Sequence, residues 1–231
     1  MKKLVIIPAY NEMENIIATV NDIKENAKDF DYVIINDKST DDTYEVCKKN
    51  NLNVINLHLN LGIGGAVQTG YCYAFENDYD IAVQFDGDGQ HDAGYLSVMS
   101  DYLVENKLNM VIGSRFIDKV GFQSSSIRRI GIKFFTVLIK LLTGKKITDP
   151  TSGFRMCDKE VIKVFANSYP KDYPEPETVV KIICSNMKVA EIPVVMRERM
   201  QGESSISPVK SIYYMLKVTL AIFIERIRRH R

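Results

Sequence analysis

Two carboxylates one residue apart, Asp86 and Asp88, stand in the run Asp86-Gly87-Asp88-Gly89-Gln90-His91. At the end of an apolar segment, carboxylates at i and i+2 can face one hard divalent cation. Gly87 and Gly89 let the backbone turn and let a diphosphate approach. Mg²⁺ or Mn²⁺ held there would neutralise a diphosphate leaving group as the bond to it breaks. Gln90 or His91 could complete the coordination. Taken alone, the run is equally an ordinary turn, because Asp-Gly is a frequent turn dipeptide. Two further polar clusters could do chemistry: Tyr10-Asn11-Glu12 and Asp37-Lys38-Ser39.

Such groups need strands that end where the clusters begin. Leu4-Val5-Ile6-Ile7 is an apolar run ended by Pro8, and Asn15 to Asn26 has helical spacing with Ile16, Ile17, Val20 and Ile23 on one side. Tyr32-Val33-Ile34-Ile35 is a second strand. Ser39 or Thr40 can cap a helix through Asn50, with Asp41 and Asp42 in its first turn. Val54 to Leu57 forms a third strand, Gly64-Gly65 open a helix through about Asn77, Ile81 to Phe85 is a fourth strand and Met110 to Gly113 a fifth. Short apolar strands alternating with amphipathic helices predict an α/β fold, a mostly parallel sheet covered on both faces. Ligands of such sheets bind beyond the carboxyl ends of the strands. All three polar clusters fall there. The second half is less regular. Residues 119–148 hold seven basic side chains and no acidic one.

The chain has 231 residues, 45% hydrophobic and 26% charged, enough for one domain with a real core. A net charge of +1 gives no argument for nucleic acid as a partner. Cys47, Cys72, Cys157 and Cys184 form no C-x-x-C pair, which speaks against a zinc site and for a reducing compartment. His58, His91 and His230 form no metal cluster. The first apolar run is too short for a signal peptide, and no stretch reaches the roughly 20 apolar residues of a membrane span.

Four segments taken in order resemble the family 2 inverting glycosyltransferases of GT-A fold. They are Ile6-Ile7-Pro8-Ala9-Tyr10-Asn11-Glu12, Asn36 to Asp41, Asn60 to Ala66 (with Gly62, Gly64 and Gly65) and Phe85 to His91. Gly113-Ser114-Arg115, Asp149 to Arg155, and Arg199 to Ser205 extend the likeness, which is greatest to polyprenyl- and dolichyl-phosphate hexosyltransferases. The resemblance implies that Pro8, Tyr10, Glu12 and Gly64 belong to the nucleotide pocket and that Asp37 meets base or ribose. It implies that Asp86 and Asp88 handle metal and diphosphate, with Gln90 a further ligand. Arg115, Arg155 and Arg199 would hold phosphates. Two departures stand out. The family commonly reads Asp-Asp-Gly-Ser where this chain has Asn36-Asp37-Lys38-Ser39, and Ser205 replaces a lysine usual in dolichyl-phosphate mannosyltransferases. The latter favours a UDP-hexose such as UDP-glucose over GDP-mannose.

The expected reaction is one in-line displacement with inversion, from a nucleoside-diphosphate sugar to polyprenyl (undecaprenyl) phosphate, for cell-surface glycan synthesis. An anionic phosphate acceptor needs positioning more than a base. A hydroxyl on a growing glycan, the alternative acceptor, needs one, and Asp149 is the candidate for a base or for a group that orients the acceptor. Glu175 and Glu177 read first as helix-start carboxylates. A non-catalytic nucleotide-sugar-binding module is the other alternative. The catalytic domain is expected at residues 1–208, followed by a basic amphipathic helix at 209–231. Ile127 to Leu142 and Ile212 to Ile224 each pair a basic stripe with a wide apolar sector. These faces suit an anionic membrane surface, on the inner face of the cell membrane, or else a homo-oligomer contact.

Overall fold

The computed structural model describes residues 1–122, 126–197 and 208–228. Among these residues seven strands form one sheet: β1 (Lys3–Ala9), β2 (Phe30–Asn36), β3 (Val54–Asn56), β4 (Ile81–Gln84), β5 (Met110–Ser114), β6 (Arg155–Asp158) and β7 (Val189–Pro193). Their order is β3-β2-β1-β4-β6-β5-β7. All neighbours are parallel except β6, which runs antiparallel to both β4 and β5. Strand order reverses between β1 and β4, so a crevice opens beyond their carboxyl ends.

Among the described residues, eight helices cover the sheet: α1 (Ile16–Asn26), α2 (Thr43–Lys49), α3 (Gly62–Glu76), α4 (Tyr95–Glu105), α5 (Ser126–Thr143), α6 (Lys159–Asn167), α7 (Pro174–Cys184) and α8 (Pro208–Arg228). Strand alternation divides the apolar residues between two cores. Leu4 and Ile6 join Val67 and Tyr71 of α3 with the inner faces of α5 to α8. Val5 and Ile7 join Ile16, Val20 and Ile23 of α1, Cys47 of α2 and Leu96 and Met99 of α4.

Three sequence expectations need correction. The first strand does not stop at Pro8; it runs to Ala9, with Pro8 in register with Ile35. Proline is tolerated in this central strand because its missing donor points toward β4. That strand has already ended at Gln84, its last bond being Phe85 N–H to the Ile6 carbonyl (2.9 Å). The second helix is capped by neither Ser39 nor Thr40 and begins at Thr43, whose N–H donates to Asp41 Oδ1 (3.0 Å). The hydroxyl of Ser39 instead bonds Asn36 Oδ1 (2.5 Å), and the Thr40 N–H bonds Asn11 Oδ1 (2.8 Å). The second half is regular, and its β6 completes the centre of the sheet. In α8, Val218 and Ile222 are 2% and 0% exposed within the core.

Candidate active site

β4 delivers the acidic run to the crevice. Asp86 is fixed from three directions. Its N–H donates to His91 Nδ1 (3.0 Å), Gln84 Nε2 donates to its Oδ1 (2.9 Å), and His91 Nε2 lies 3.7 Å from its Oδ2. His91 is buried, stacked on Phe154 at 4.7 Å between ring centroids and edge-on to Phe85 at 5.2 Å. Its Nδ1 lone pair is used by the backbone, so it shapes the loop rather than completing a coordination sphere. Asp88 Oδ1 accepts the Gln90 N–H (3.1 Å) across Gly89, whose φ of +76° suits glycine. Thr19 of α1 donates to the Gly87 carbonyl (3.2 Å). Gln90 Nε2 reaches the Arg197 carbonyl (3.4 Å), and the Arg197 N–H returns a bond to Gln90 O (2.9 Å). Arg197 in turn pairs with Asp22 and Asp92 (2.9 and 3.1 Å).

Asp86, Asp88 and Gln90 are each partly exposed. Among the described residues no group of three or more His, Cys, Asp or Glu is placed to cage a metal. Two carboxylates without a cage fit Mg²⁺ or Mn²⁺, which keep waters and take phosphate oxygens as remaining ligands.

Arg115, following β5, grips Asp149 with Nε (2.7 Å) and Nη2 (2.8 Å), and its own N–H also reaches Asp149 Oδ2 (3.2 Å). Thr151 adds a fourth donor at 3.2 Å. Asp149 is 0% exposed and its two oxygens accept four bonds, the capacity of a carboxylate. This is the geometry of a group that orients Arg115, not of a solvent-facing base. Glu191 of β7 secures the same loop through the N–H groups of Thr148 (2.7 Å) and Asp149 (2.8 Å), and burial holds its carboxyl above the usual range.

Arg155 also departs from expectation. It is 1% exposed, with Nε on Ser152 O (2.7 Å), Nη1 on Glu175 O and Thr178 Oγ1 (both 2.6 Å) and Nη2 on Pro150 O (2.8 Å). A guanidinium committed to four protein acceptors ties β6 to α7 and is not offered to a phosphate. Arg199 lies outside the described residues.

Glu175 was the less obvious member of the site. It sits in the first turn of α7, beside Pro174 at the helix start, as read from the sequence. It is only partly exposed, and its carboxyl is raised chiefly by burial. Arg155 opposes that shift, with smaller influences from Asp86, which raises it, and Arg115, which lowers it. Arg155, through its bond to the Glu175 carbonyl, holds this first turn of α7 against the start of β6.

On the other side of the crevice, Pro8 and Glu12 are buried while Tyr10 is 46% exposed. Asp37 is 3% exposed, its Oδ1 accepting the Leu61 N–H (2.7 Å) at the start of α3. Burial raises its carboxyl, and the N–H groups of Leu61 and Gly62 oppose this. Its clearest task is to anchor that helix start. Lys38, where the family reads glycine, takes a left-handed φ of 56°, which explains the family preference. Gly64 is required by a neighbouring loop: a Cβ there would lie 2.0 Å from the Pro170 carbonyl oxygen and 2.3 Å from that of Lys171.

Comparison with known proteins places the chain in a family. The family model described as "Glycosyl transferase family 2" matches residues 4–165. A UDP-N-acetylglucosamine–dolichyl-phosphate N-acetylglucosaminyltransferase of Methanococcus voltae is 31% identical over 212 residues, covering 82% of this chain and 83% of that one. An undecaprenyl-phosphate mannosyltransferase of Micrococcus luteus is 25% identical over 216 residues, 90% and 88% of the two chains. Among solved structures, glucosyl-3-phosphoglycerate synthase from Mycobacterium tuberculosis, in complex with Mn²⁺, UDP-glucose and phosphoglyceric acid, superposes with a TM-score of 0.72. The identity is 16%, over 97% of this chain and 79% of that one. The fold is GT-A, as the resemblance implied. With a family model spanning most of its length and a relative above 30% identity, the chain belongs to glycosyl transferase family 2.

Proposed function

We propose that the chain is an inverting glycosyltransferase that takes a hexosyl group from a nucleoside-diphosphate sugar. The observation that carries this is the placement of Asp86 and Asp88 just beyond β4, where the crevice opens beside β1, with Gly153 against the Asp86 carboxylate and Arg115 gripped by Asp149 of the same loop. Asp86 and Asp88, with Gln90 beside them, would hold Mg²⁺ or Mn²⁺, which supplies charge neutralisation for the departing diphosphate. Arg115, oriented by Asp149, adds a fixed positive charge on the same side. Tyr10 offers an exposed ring for the nucleoside, and Asp37 holds the loop that walls it. A UDP-linked donor is favoured by Ser205 and by the donor named for the Methanococcus relative.

Two acceptor classes have support, each from its own observation. Polyprenyl phosphate is supported by the lipid acceptors named for the curated relatives and by two exposed apolar rows. On α5 these are Ile130 (72%), Phe134 (41%), Val137 (51%) and Leu141 (78%); on α8, Leu216 (70%), Leu220 (62%), Phe223 (42%) and Ile227 (63%). No helix of the described residues is long and apolar enough to cross a membrane. Such rows suit a helix lying in the headgroup region of the inner membrane face, with basic residues on anionic lipid. A hydroxyl acceptor, which needs a general base, is supported by Glu175, a half-buried carboxyl in the first turn of α7 whose proton affinity burial raises. The synthase that shares the fold was crystallised with phosphoglyceric acid, which is not a lipid.

The deciding experiment incubates the protein and Mn²⁺ with UDP-glucose, UDP-N-acetylglucosamine or GDP-mannose. Each donor is offered short-chain polyprenyl phosphate or free glycans, and products are read by mass spectrometry. Glycosylated polyprenyl phosphate, made equally well by Glu175→Gln, supports the lipid reading. Products formed only on hydroxyls, and lost in Glu175→Gln, support the other. No transfer and no donor hydrolysis leaves a binding module. Light scattering without lipid tests whether the same rows join two copies instead.

A further inference from the structure

Gln84 is the last residue of β4 and is 1% exposed. It is the one polar side chain in a strand otherwise made of Ile81, Ala82 and Val83. Its Nε2 donates to Asp86 Oδ1 (2.9 Å), while its Oε1 is, among the described residues, the buried side-chain polar atom without a hydrogen bond. Turning the amide over would set two acceptor oxygens at that 2.9 Å separation in place of a donor and an acceptor. A buried orphan acceptor destabilises a fold, and a side chain kept for packing alone would not need one. The surroundings preserve the contact. A Cβ on Gly153 would come within 2.8 Å of Gln84 Nε2 and 3.0 Å of Asp86 Oδ2, so only a glycine there leaves the amide and the carboxylate side by side.

We propose that Gln84 is a positioning residue that fixes the Asp86 carboxylate for the metal–diphosphate complex, holding one oxygen while the other turns toward the ligand. This rests on the reading of Asp86 as a ligand of that complex. The Asp86 side chain is 35% exposed, and His91 Nε2 stands 3.7 Å from its other oxygen, beyond hydrogen-bond reach, so Gln84 supplies the hydrogen bond that selects its rotamer. An amide donor removes rotamer freedom before the ligand arrives, and it spends its own carbonyl to do so.

The test is calorimetric titration of Mn²⁺ together with UDP or GDP, whichever the native chain binds, alongside thermal unfolding without ligand. Gln84→Met deletes both the donor and the orphan acceptor. Affinity should fall about tenfold or more, the range for hydrogen bonds to charged groups. The melting temperature should rise by about 2 °C or more as the unsatisfied carbonyl disappears. Gln84→Asn, one methylene shorter, keeps the polarity but withdraws the donor. It should lose affinity without gaining stability, and it serves as the test if the methionine variant fails to fold. In an Asp86→Asn background the Gln84 substitutions should cost no further affinity, because the two act as one unit. Native affinity in both Gln84 variants overturns the proposal, as does affinity and melting temperature falling together in Gln84→Met. If Asp86→Asn alone leaves Mn²⁺–nucleotide binding unchanged, the reading of Asp86 itself is what fails.

Discussion

Replacing Gly64 with alanine should disable the enzyme from a position that touches no reacting atom. Gly64 is buried in the first turn of α3, and its N–H donates to the Lys171 carbonyl at 3.1 Å. The new Cβ would meet the Pro170 and Lys171 oxygens at 2.0 and 2.3 Å, both of them backbone. Restoring ordinary contact requires the loop to retreat by about 1.4 Å. That breaks the hydrogen bond, about 1 kcal/mol, and adds repacking strain of about 1–3 kcal/mol. Better helix propensity returns up to about 1 kcal/mol. The net loss is about 1–3 kcal/mol of stability. The functional loss should be larger, because the loop leads through Tyr173, at φ 50°, and Pro174 into Glu175. Neither residue has slack to absorb the shift, and a displacement near 1 Å can lower turnover by about a hundredfold. Urea denaturation and turnover at saturating donor would measure the two effects. If Gly64→Ala weakens nucleotide binding but leaves stability and saturated turnover at native values, the loop argument is wrong and Gly64 serves the nucleotide directly.

Other expectations are shorter. Asp88→Asn should lower turnover by at least about a hundredfold with an unchanged melting curve, since the partly exposed carboxylate serves charge, not packing; near-native turnover in EDTA would refute it. Arg155→Met should destabilise the fold by about 3 kcal/mol or more, leaving the Ser152, Glu175 and Pro150 carbonyls unpaired, which denaturant titration reads directly. With hydroxyl acceptors, rate should climb with pH through the raised Glu175 value, as a base must be ionised, and Glu175→Gln should flatten the profile. The stability sign is opposite: Glu175 contributes fully below the ordinary glutamate value of about 4.3, and that contribution is lost as pH rises through its folded value. Leu216→Glu with Leu220→Glu should reduce flotation with anionic liposomes while leaving the melting curve in place, because both side chains are exposed.

The first half of the fold was legible because burial there is written as uninterrupted apolar runs. β1, β2 and β4 each have both faces covered, so local composition reports them. β6 escaped because it begins with Arg155 and ends with Asp158. Only Pro150, Ser152, Glu175 and Thr178, distant in sequence or in a loop, make that arginine compatible with the interior. The acidic run was located correctly for the same reason that β4 was. The partners of its neighbours were not: a charge visible in a sequence does not say whether it meets solvent or a carbonyl, and Asp149 and Arg155 both turned inward. Gln84 did leave a signal, a polar residue two positions before Asp86 and so on the same side of the strand.

The antiparallel β6 also dictates the order in which the molecule can assemble. β5 reaches β4 only through β6, a strand that follows both in the chain. Until it docks, β4 has an open edge lined by core residues, the kind of edge that pairs with other chains. Closing that long-range contact carries a loop-entropy barrier, so the middle of the sheet should be the slow step of folding. Asp86 and Arg115, at the ends of β4 and β5, first come together in that step. A nascent chain halted before β6 therefore already contains both Asp86 and Arg115 but lacks the strand that joins β4 to β5 and sets their ends in one sheet.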